Sequence, residues 1–253
     1  MLWLHCEELR MRRGPFCERL TMGLNKSTGN MYEFVTHTWN VIKGKCPHGC
    51  SYCYMKRWGE QPPLHFDEKE LKEFDRDIKR YGDGLFVFVG SSCDMFAPDM
   101  SIKNSWVEKI LNKCNQHDNK YLIQSKSVAG MHWFNNFLDK EKYYICTTIE
   151  TNRFYSGIMG DTVSTDSRSK AMELYFNGFK KYVTIEPIMD FDLIPLVEMI
   201  KRCNPEQVNI GADSGNNNLP EPPYEKVIQL IEKLEQFTKI HNKRNLQRLA
   251  KKG

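Results

Sequence analysis

Apolar and β-branched residues gather into six short runs, at 33–38, 85–89, 121–124, 143–149, 182–185 and 207–210. Each run has the length of a strand. Between the runs the apolar period changes. Leu71, Phe74, Ile78 and Tyr81 recur every three or four residues, as do Trp106, Val107, Ile110, Leu111 and Cys114, so each set shares one helical face. A weaker connection covers 133–138. A fourth covers 167–176 and meets Gly178 as a stop, and Leu193, Leu196, Val197 and Ile200 mark a fifth. Val227, Leu230, Ile231, Leu234 and Phe237 define the last helix. Six strands alternating with six helices predict an α/β fold of parallel strands with right-handed crossovers. The expected closure is a partial (β/α)6 TIM-type barrel, with a doubly wound open sheet as the alternative. In both architectures chemistry gathers at the C-terminal ends of the strands. The segments to read are therefore 43–54, 90–94, 125–127, 150–153, 186–190 and 211–218.

A chain of 253 residues can bury one large core, and no repeat divides it. The expected organisation is an N-terminal extension over 1–32, the barrel over 33–218, and a C-terminal helix with a basic tail over 219–253. The content of 40% hydrophobic and 27% charged residues is that of a water-soluble domain, and no stretch approaches the length of a membrane span. Glu7, Glu8 and three arginines interrupt the first residues where a secretion signal needs an apolar segment. A cytoplasmic protein without a membrane partner is expected. Of the net charge of +4, six positive charges sit in residues 239–253, which contain no acid, so the remainder carries −2. That tail reads either as a solvated helix end or as a nucleic-acid grip. Nine cysteines, an odd number, point to thiol or metal chemistry rather than a disulfide framework.

After the first strand comes Cys46-Pro-His-Gly-Cys50-Ser-Tyr-Cys53-Tyr54. Three thiolates within one loop can wrap three corners of a 4Fe-4S cubane and leave the fourth iron without a protein ligand. The alternative is a zinc-binding interaction module with His48 or another cysteine as fourth ligand. Zinc ribbons pair two such elbows, however, and the chain has no second Cys-x-x-Cys.

This cysteine spacing, with Tyr52 just before Cys53, resembles the signature of the radical S-adenosylmethionine (AdoMet, radical SAM) superfamily. Thr38-Trp39-Asn40, Ser92-Cys93-Asp94-Met95-Phe96, Ser125-Lys126, Glu150, Glu186-Pro187 and Gly211-Ala212-Asp213-Ser214-Gly215 extend the likeness over residues 34–218. In that order they resemble a phage-associated radical AdoMet family of unassigned function, itself similar to the spore photoproduct lyases that repair DNA. The resemblance implies a partial barrel with Cys46, Cys50 and Cys53 holding the cluster. It also implies AdoMet bound at the open iron and cleaved reductively to a 5′-deoxyadenosyl radical, and an external electron donor of flavodoxin or ferredoxin type. Tyr52 is then expected beside the adenine. Gly90, Ser91, Ser92 and Asp94 form the loop for the AdoMet amino group, although an ordinary strand-to-helix turn explains them too. Lys126 would pair with the AdoMet carboxylate, unless it is merely solvated. Thr148 and Glu150 would face the ribose, with an Arg153–Glu150 ion pair as the structural alternative. Glu186 is a candidate cofactor or substrate contact on the opposite wall, with residues 211–215.

The resemblance to the spore photoproduct lyases also implies Cys93 as a candidate hydrogen-atom donor with Tyr54 as its relay, against simple packing behind the loop. The substrate class expected from the resemblance, the basic tail and the aromatic residues Tyr54, Trp58, Trp133 and Phe154 is a nucleic-acid base or nucleotide. A peptide or a small metabolite is the competing substrate. Cys114, Cys146 and Cys203 read as packing, and Cys6 and Cys17 stand apart from the motif.

Overall fold

The computed structural model describes residues 23–28 and 30–251. Cys6, Cys17 and most of the expected N-terminal extension lie outside the described residues. The chain enters through β1 (Asn25–Lys26), which pairs antiparallel with β2 (His37–Trp39). A small hairpin follows, β3 (Ile42–Lys43) against β4 (His65–Phe66). Then come β5 (Phe86–Val89), β6 (Lys120–Gln124), β7 (Tyr143–Thr148), β8 (Lys180–Ile185), β9 (Gln207–Ile210) and β10 (Lys239–Asn242). From β2 onward the main sheet is parallel, in the order β1-β2-β5-β6-β7-β8-β9-β10, and β1 does not pair with β10. This is an open, partial barrel.

The connections are α1 (Lys69–Tyr81), α2 (Asn104–Asn115), α3 (Val128–His132), α4 (Thr165–Tyr175), α5 (Leu193–Cys203), α6 (Tyr224–Leu234) and the short α7 (Gln247–Ala250). The period of two along each strand sorts the side chains into two layers. Val87, Val89, Tyr121, Ile123, Tyr143, Ile145, Val183, Ile185, Val208 and Ile210 face outward and share one core with the apolar faces of the helices. Phe88, Leu122, Tyr144 and Cys146 face inward with Phe86 and Tyr182. One example sets the scale of the outer core. Phe74 of α1 and Trp39 of β2 are both 0% exposed, with ring centroids 4.2 Å apart, and truncating such a phenylalanine costs about 3–5 kcal/mol.

Two elements depart from the sequence reading. The run at 33–38 becomes a strand only at its end. Phe34 instead turns into the barrel, where its ring lies 5.0 Å from Phe86 and 4.9 Å from Tyr182. The aromatic plug fills the lower interior that the incomplete sheet leaves open. The second departure is β10, a seventh parallel strand inside the stretch read as a basic tail. It is an edge strand of sequence Lys-Ile-His-Asn with no buried residue, so it carries no apolar run to betray it. What pulls it in is the register with β9, Lys239 opposite Gln207 through Asn242 opposite Ile210. No helix among the described residues is long and apolar enough to cross a membrane.

Candidate active site

The hairpin β3/β4 pinches off residues 44–64 as an excursion over the C-terminal end of β2, and this excursion carries the cysteines. Local turns shape it: Gly49 N donates to Cys46 O, Cys53 N to Cys50 O, and Lys56 N to Cys53 O. A second loop buttresses it from behind, with Ser51 N donating to Ile158 O and Asp161 N to His48 O. The contact depends on Gly160, at φ +66°, where a Cβ would stand 2.0 Å from His48 O. Only glycine tolerates both the backbone angle and the approach.

His48, between the first two cysteines, fastens the loop to the strand ends. Its Nε2 lies 2.7 Å from Asp94 Oδ2, and its Nδ1 lies 3.3 Å from Asp161 O. Asp94 also accepts from Ser125 Oγ, Lys126 N and Phe96 N. Burial alone would raise the Asp94 pKa, but the His48 contact together with the Phe96 and Lys126 amides outweighs it and holds the carboxyl below its usual range. Burial likewise disfavours charge on His48, yet Asp94 raises it above the ordinary histidine value. The two shifts favour the charged forms of both partners, and the remaining carboxylate lone pairs of Asp94 are taken by hydrogen bonds. Asp94 therefore ties three segments together with a carboxylate that is already fully engaged.

Cys50 is buried, whereas Cys46 and Cys53 are half-buried. The Cys93 thiol hydrogen-bonds to Cys46 and, against burial, lowers the Cys46 pKa to about 6. The same contact pushes Cys93 far above the normal thiol range. Burial raises Cys53, and the neighbouring Cys46 and Cys50 sulfurs raise it further. The three thiols sit close enough to repel one another as thiolates, and Cys93 is a fourth sulfur against them.

Beneath Cys50 lies a charged network. Lys126 Nζ is 3.4 Å from Cys50 Sγ, 2.6 Å from the Tyr52 hydroxyl and 2.7 Å from Glu150 Oε1. Tyr52 donates to the same Glu150 oxygen at 2.5 Å, and Arg168 Nη1 takes the other at 2.8 Å. Glu150 and Arg168 are 0% exposed. Burial raises the Glu150 pKa, but the Arg168 and Lys126 charges lower it more, well below the carboxylate range. Arg168 also donates from Nη1 to Thr148 O and from Nε to Val163 O.

These groups surround a cavity of about 810 Å³ at the C-terminal ends of the parallel strands. Cys46, Cys50, Cys53, Tyr52, Tyr54, Gly90, Ser91, Ser92, Cys93, Asp94, Lys126, Thr148 and Glu186 all line it. Gly90, at φ +77°, begins the second loop. Asn40 holds that loop by accepting from Ser92 N and bonding Ser91 Oγ, while the Tyr54 hydroxyl donates to Ser91 O. Glu150 is not on the cavity, and its oxygens are committed to Tyr52, Lys126 and Arg168 rather than to a ribose. Arg153 does not balance it, since that guanidinium pairs with Asp190 and Asp192. Of residues 211–215 only Ser214 lines the cavity, bridged to Arg57 across the mouth. Of the aromatics read as base-stacking candidates, Tyr54 lines it, but Trp58, Trp133 and Phe154 do not.

On the far wall, Glu186 accepts from Lys243 Nζ at 2.5 Å, Asn30 Nδ2 at 2.7 Å and Asn245 Nδ2 at 3.1 Å. Gly211 makes room for it, because a Cβ there would stand 2.8 Å from its carboxylate. Tyr32 closes this side, with its hydroxyl 2.7 Å from Gln124 Oε1 and the Lys243 ammonium 4.8 Å from its ring centroid. Sequence reading missed His48 as a latch, Arg168 as a counter-charge, and Asn30, Tyr32 and Lys243 as wall residues. His48 had a signal in its place inside the motif, but the others had none at short range.

The donor set suits a cubane better than a single ion. Three thiols of one loop border a large cavity, whereas no three His, Cys, Asp or Glu side chains among the described residues come together to hold one metal ion.

No protein-family model matches the sequence, and no curated protein matches it. Solved structures do match in fold. A spore photoproduct lyase variant with bound AdoMet and dinucleoside spore photoproduct superposes with a TM-score of 0.61 at 12% identity, covering 86% of this chain and 80% of that one. Methylornithine synthase gives 0.51 at 14% identity, over 80% of this chain and 63% of that one. The structure of anSMEcpe with bound AdoMet and a peptide gives 0.50 at 11% identity, over 79% of this chain and 58% of that one. At these identities the likeness establishes the partial-barrel fold.

Proposed function

We propose that the chain is a radical AdoMet enzyme. The observation that carries the reading is the meeting, on one cavity at the strand ends, of the three-cysteine loop with the 90–94 loop and Lys126. Cys46, Cys50 and Cys53 would hold three irons of a 4Fe-4S cluster, leaving one iron for the amino and carboxylate groups of AdoMet. When bound, the cluster and AdoMet supply a reductively generated 5′-deoxyadenosyl radical that abstracts hydrogen from a substrate.

This chain's own residues hold and orient. The His48–Asp94 pair fixes the cysteine loop against β5 and β6. Lys126 presents an ammonium to the cavity, braced from behind by Glu150 and Arg168, where it can meet the AdoMet carboxylate. Tyr52 packs its ring against that ammonium, 4.5 Å from the centroid, and borders the cavity for the adenine. The Ser91 carbonyl and Ser92 are placed by Asn40 for the amino group.

Charge supports an anionic substrate, a nucleic-acid base or nucleotide. Five Lys or Arg side chains line the cavity; Lys126 and Lys243 pair with Glu150 and Glu186, which leaves Lys45, Lys56 and Arg57 without a carboxylate partner among the described residues. The dinucleoside held by the spore photoproduct lyase of similar fold agrees with this class. The exposed lysines beside the cysteine loop also suit an acidic electron donor of flavodoxin or ferredoxin type.

The test is anaerobic reconstitution with iron and sulfide, followed by AdoMet, a strong reductant and candidate oligonucleotides. Four irons per chain and 5′-deoxyadenosine by mass spectrometry are expected. Zinc without iron or sulfide would return the loop to an interaction module, and turnover of peptides alone would move the substrate class.

A further inference from the structure

We infer that a second cavity beside the candidate active site is a phosphate subsite, which receives the backbone of the substrate while its reacting base occupies the main cavity. The inference rests on the nucleotide reading above for its biological ligand, but its chemistry stands on a separate set of residues. This cavity measures about 370 Å³, and Tyr32 and Lys243 are walls of both. A molecule long enough to pass the Tyr32 edge would touch the two at once.

The lining is polar and its charge is positive. His241, Lys243 and Arg244 come from the end of β10 and the residues after it, and Ser27 and Thr28 face them from the entering segment. In closed eight-stranded β/α barrels the loops after the last strands are frequent phosphate sites, and this cavity likewise follows the last parallel strand of the partial barrel. Among the described residues that line it Glu33 is the only acid, 72% exposed and 3.9 Å from His241 Nδ1, so it screens little of the field inside.

Capacity to bind is also unspent here. Among the described residues the Arg244 guanidinium has no carboxylate, carbonyl or ring partner, and the Ser27 and Thr28 hydroxyls have none either. By contrast, the other arginines with a cavity role are engaged, Arg57 with Ser214 and Arg168 with Glu150. A planar guanidinium, an imidazole and two hydroxyls around a space of this size match the tetrahedral oxygens of a phosphomonoester or phosphodiester. Lys243, held at 2.5 Å by Glu186, is a fixed hydrogen-bond donor at the boundary between base and backbone.

The experiment uses the full chain loaded with its iron and two probes. Inorganic pyrophosphate is titrated by calorimetry, and a fluorescein-labelled ten-nucleotide thymidine single strand by anisotropy between about 50 and 200 mM salt. Arg244→Gln should abolish pyrophosphate binding and weaken the oligonucleotide about tenfold, and should lower the salt slope by about one unit. Lys251→Gln, a tail charge outside the cavity, should leave pyrophosphate binding unchanged. Equal pyrophosphate affinity in wild type and Arg244→Gln, or no binding by wild type, overturns the subsite. Arg244-dependent pyrophosphate binding without oligonucleotide binding keeps the subsite and removes the nucleic-acid reading, leaving a small phosphorylated metabolite as the ligand.

Discussion

The two walls of the cavity are built on opposite plans. On the cysteine side the buried carboxylates are already answered within the protein: Asp94 by His48, Ser125 and two backbone amides, and Glu150 by Arg168, Lys126 and Tyr52. On the far side, Glu186 is answered by Lys243, and beyond Lys243 the second cavity leaves Arg244 without a partner among the described residues. A closed network fixes geometry, because each group's partners are met in one arrangement and a buried charge that moves loses several kcal/mol. An open one leaves hydrogen-bonding capacity for a visitor. The cysteine wall is thus suited to a resident cofactor and the far wall to a substrate that comes and goes.

The sharpest way to break this contrast is at the cysteines. Cys46→Ala, Cys50→Ala and Cys53→Ala should each abolish cluster loading, measured as iron and sulfide after anaerobic reconstitution, while Cys114→Ala keeps it. Full iron content in any of the three would remove that residue from the ligand set.

Next in size is the support beneath them. Arg168→Met leaves the Glu150 carboxylate buried with only Lys126 and Tyr52, and should cost about 3–5 kcal/mol of stability by chemical denaturation. The double variant Arg168→Met with Glu150→Met should recover part of that loss, since it removes the orphaned charge as well. A single variant as stable as wild type would show that the network is solvated rather than closed.

Lys126→Ala also takes a partner from Glu150, which keeps Arg168 and Tyr52, and its distinctive effect is expected on binding. Losing one charge-assisted hydrogen bond to the AdoMet carboxylate should weaken affinity by roughly 10- to 150-fold, or about 1.5–3 kcal/mol, with iron content intact. Unchanged AdoMet affinity by calorimetry would confine Lys126 to the Glu150 network.

Much of the cysteine wall was legible because it is local. The three thiols, Tyr52 and Tyr54 lie within nine residues, and the 90–94 loop and Lys126 directly follow apolar strands whose ends converge by topology alone. The far wall was not, because Asn30, Glu186, Lys243 and Asn245 meet from sites up to 215 positions apart, two of them just after a strand with no apolar run. Glu150 shows the other failure. Its place after β7 was read correctly, but a strand-end carboxylate can face the cavity or a helix. Arg168, buried in α4 without any periodic signal, decides for the helix.

The smallest expected effect, and the finest distinction, belongs to Cys93. It lines the cavity at 3% exposure and its thiol donates to Cys46, so it stands on the cysteine wall yet is not one of the three spaced ligands. A thiol there can pack, or it can return a hydrogen atom to a substrate radical because its S–H bond is weak. Cys93→Ala removes one small buried atom, which should cost about 1 kcal/mol of stability. Iron content and AdoMet cleavage should stay within twofold of wild type. If Cys93 is the donor, the substrate radical must be quenched elsewhere, and mass spectrometry of the reacted oligonucleotide should show altered products. Tyr54→Phe should then slow later turnovers more than the first, because the Tyr54 hydroxyl, 3.1 Å from Ser91 O, would no longer restore the thiol. An unchanged product pattern in Cys93→Ala leaves the residue as packing and moves the hydrogen donor to AdoMet chemistry or solvent. A loss of iron in that variant would instead make Cys93 part of the cluster's support, and would extend the closed wall by one more residue.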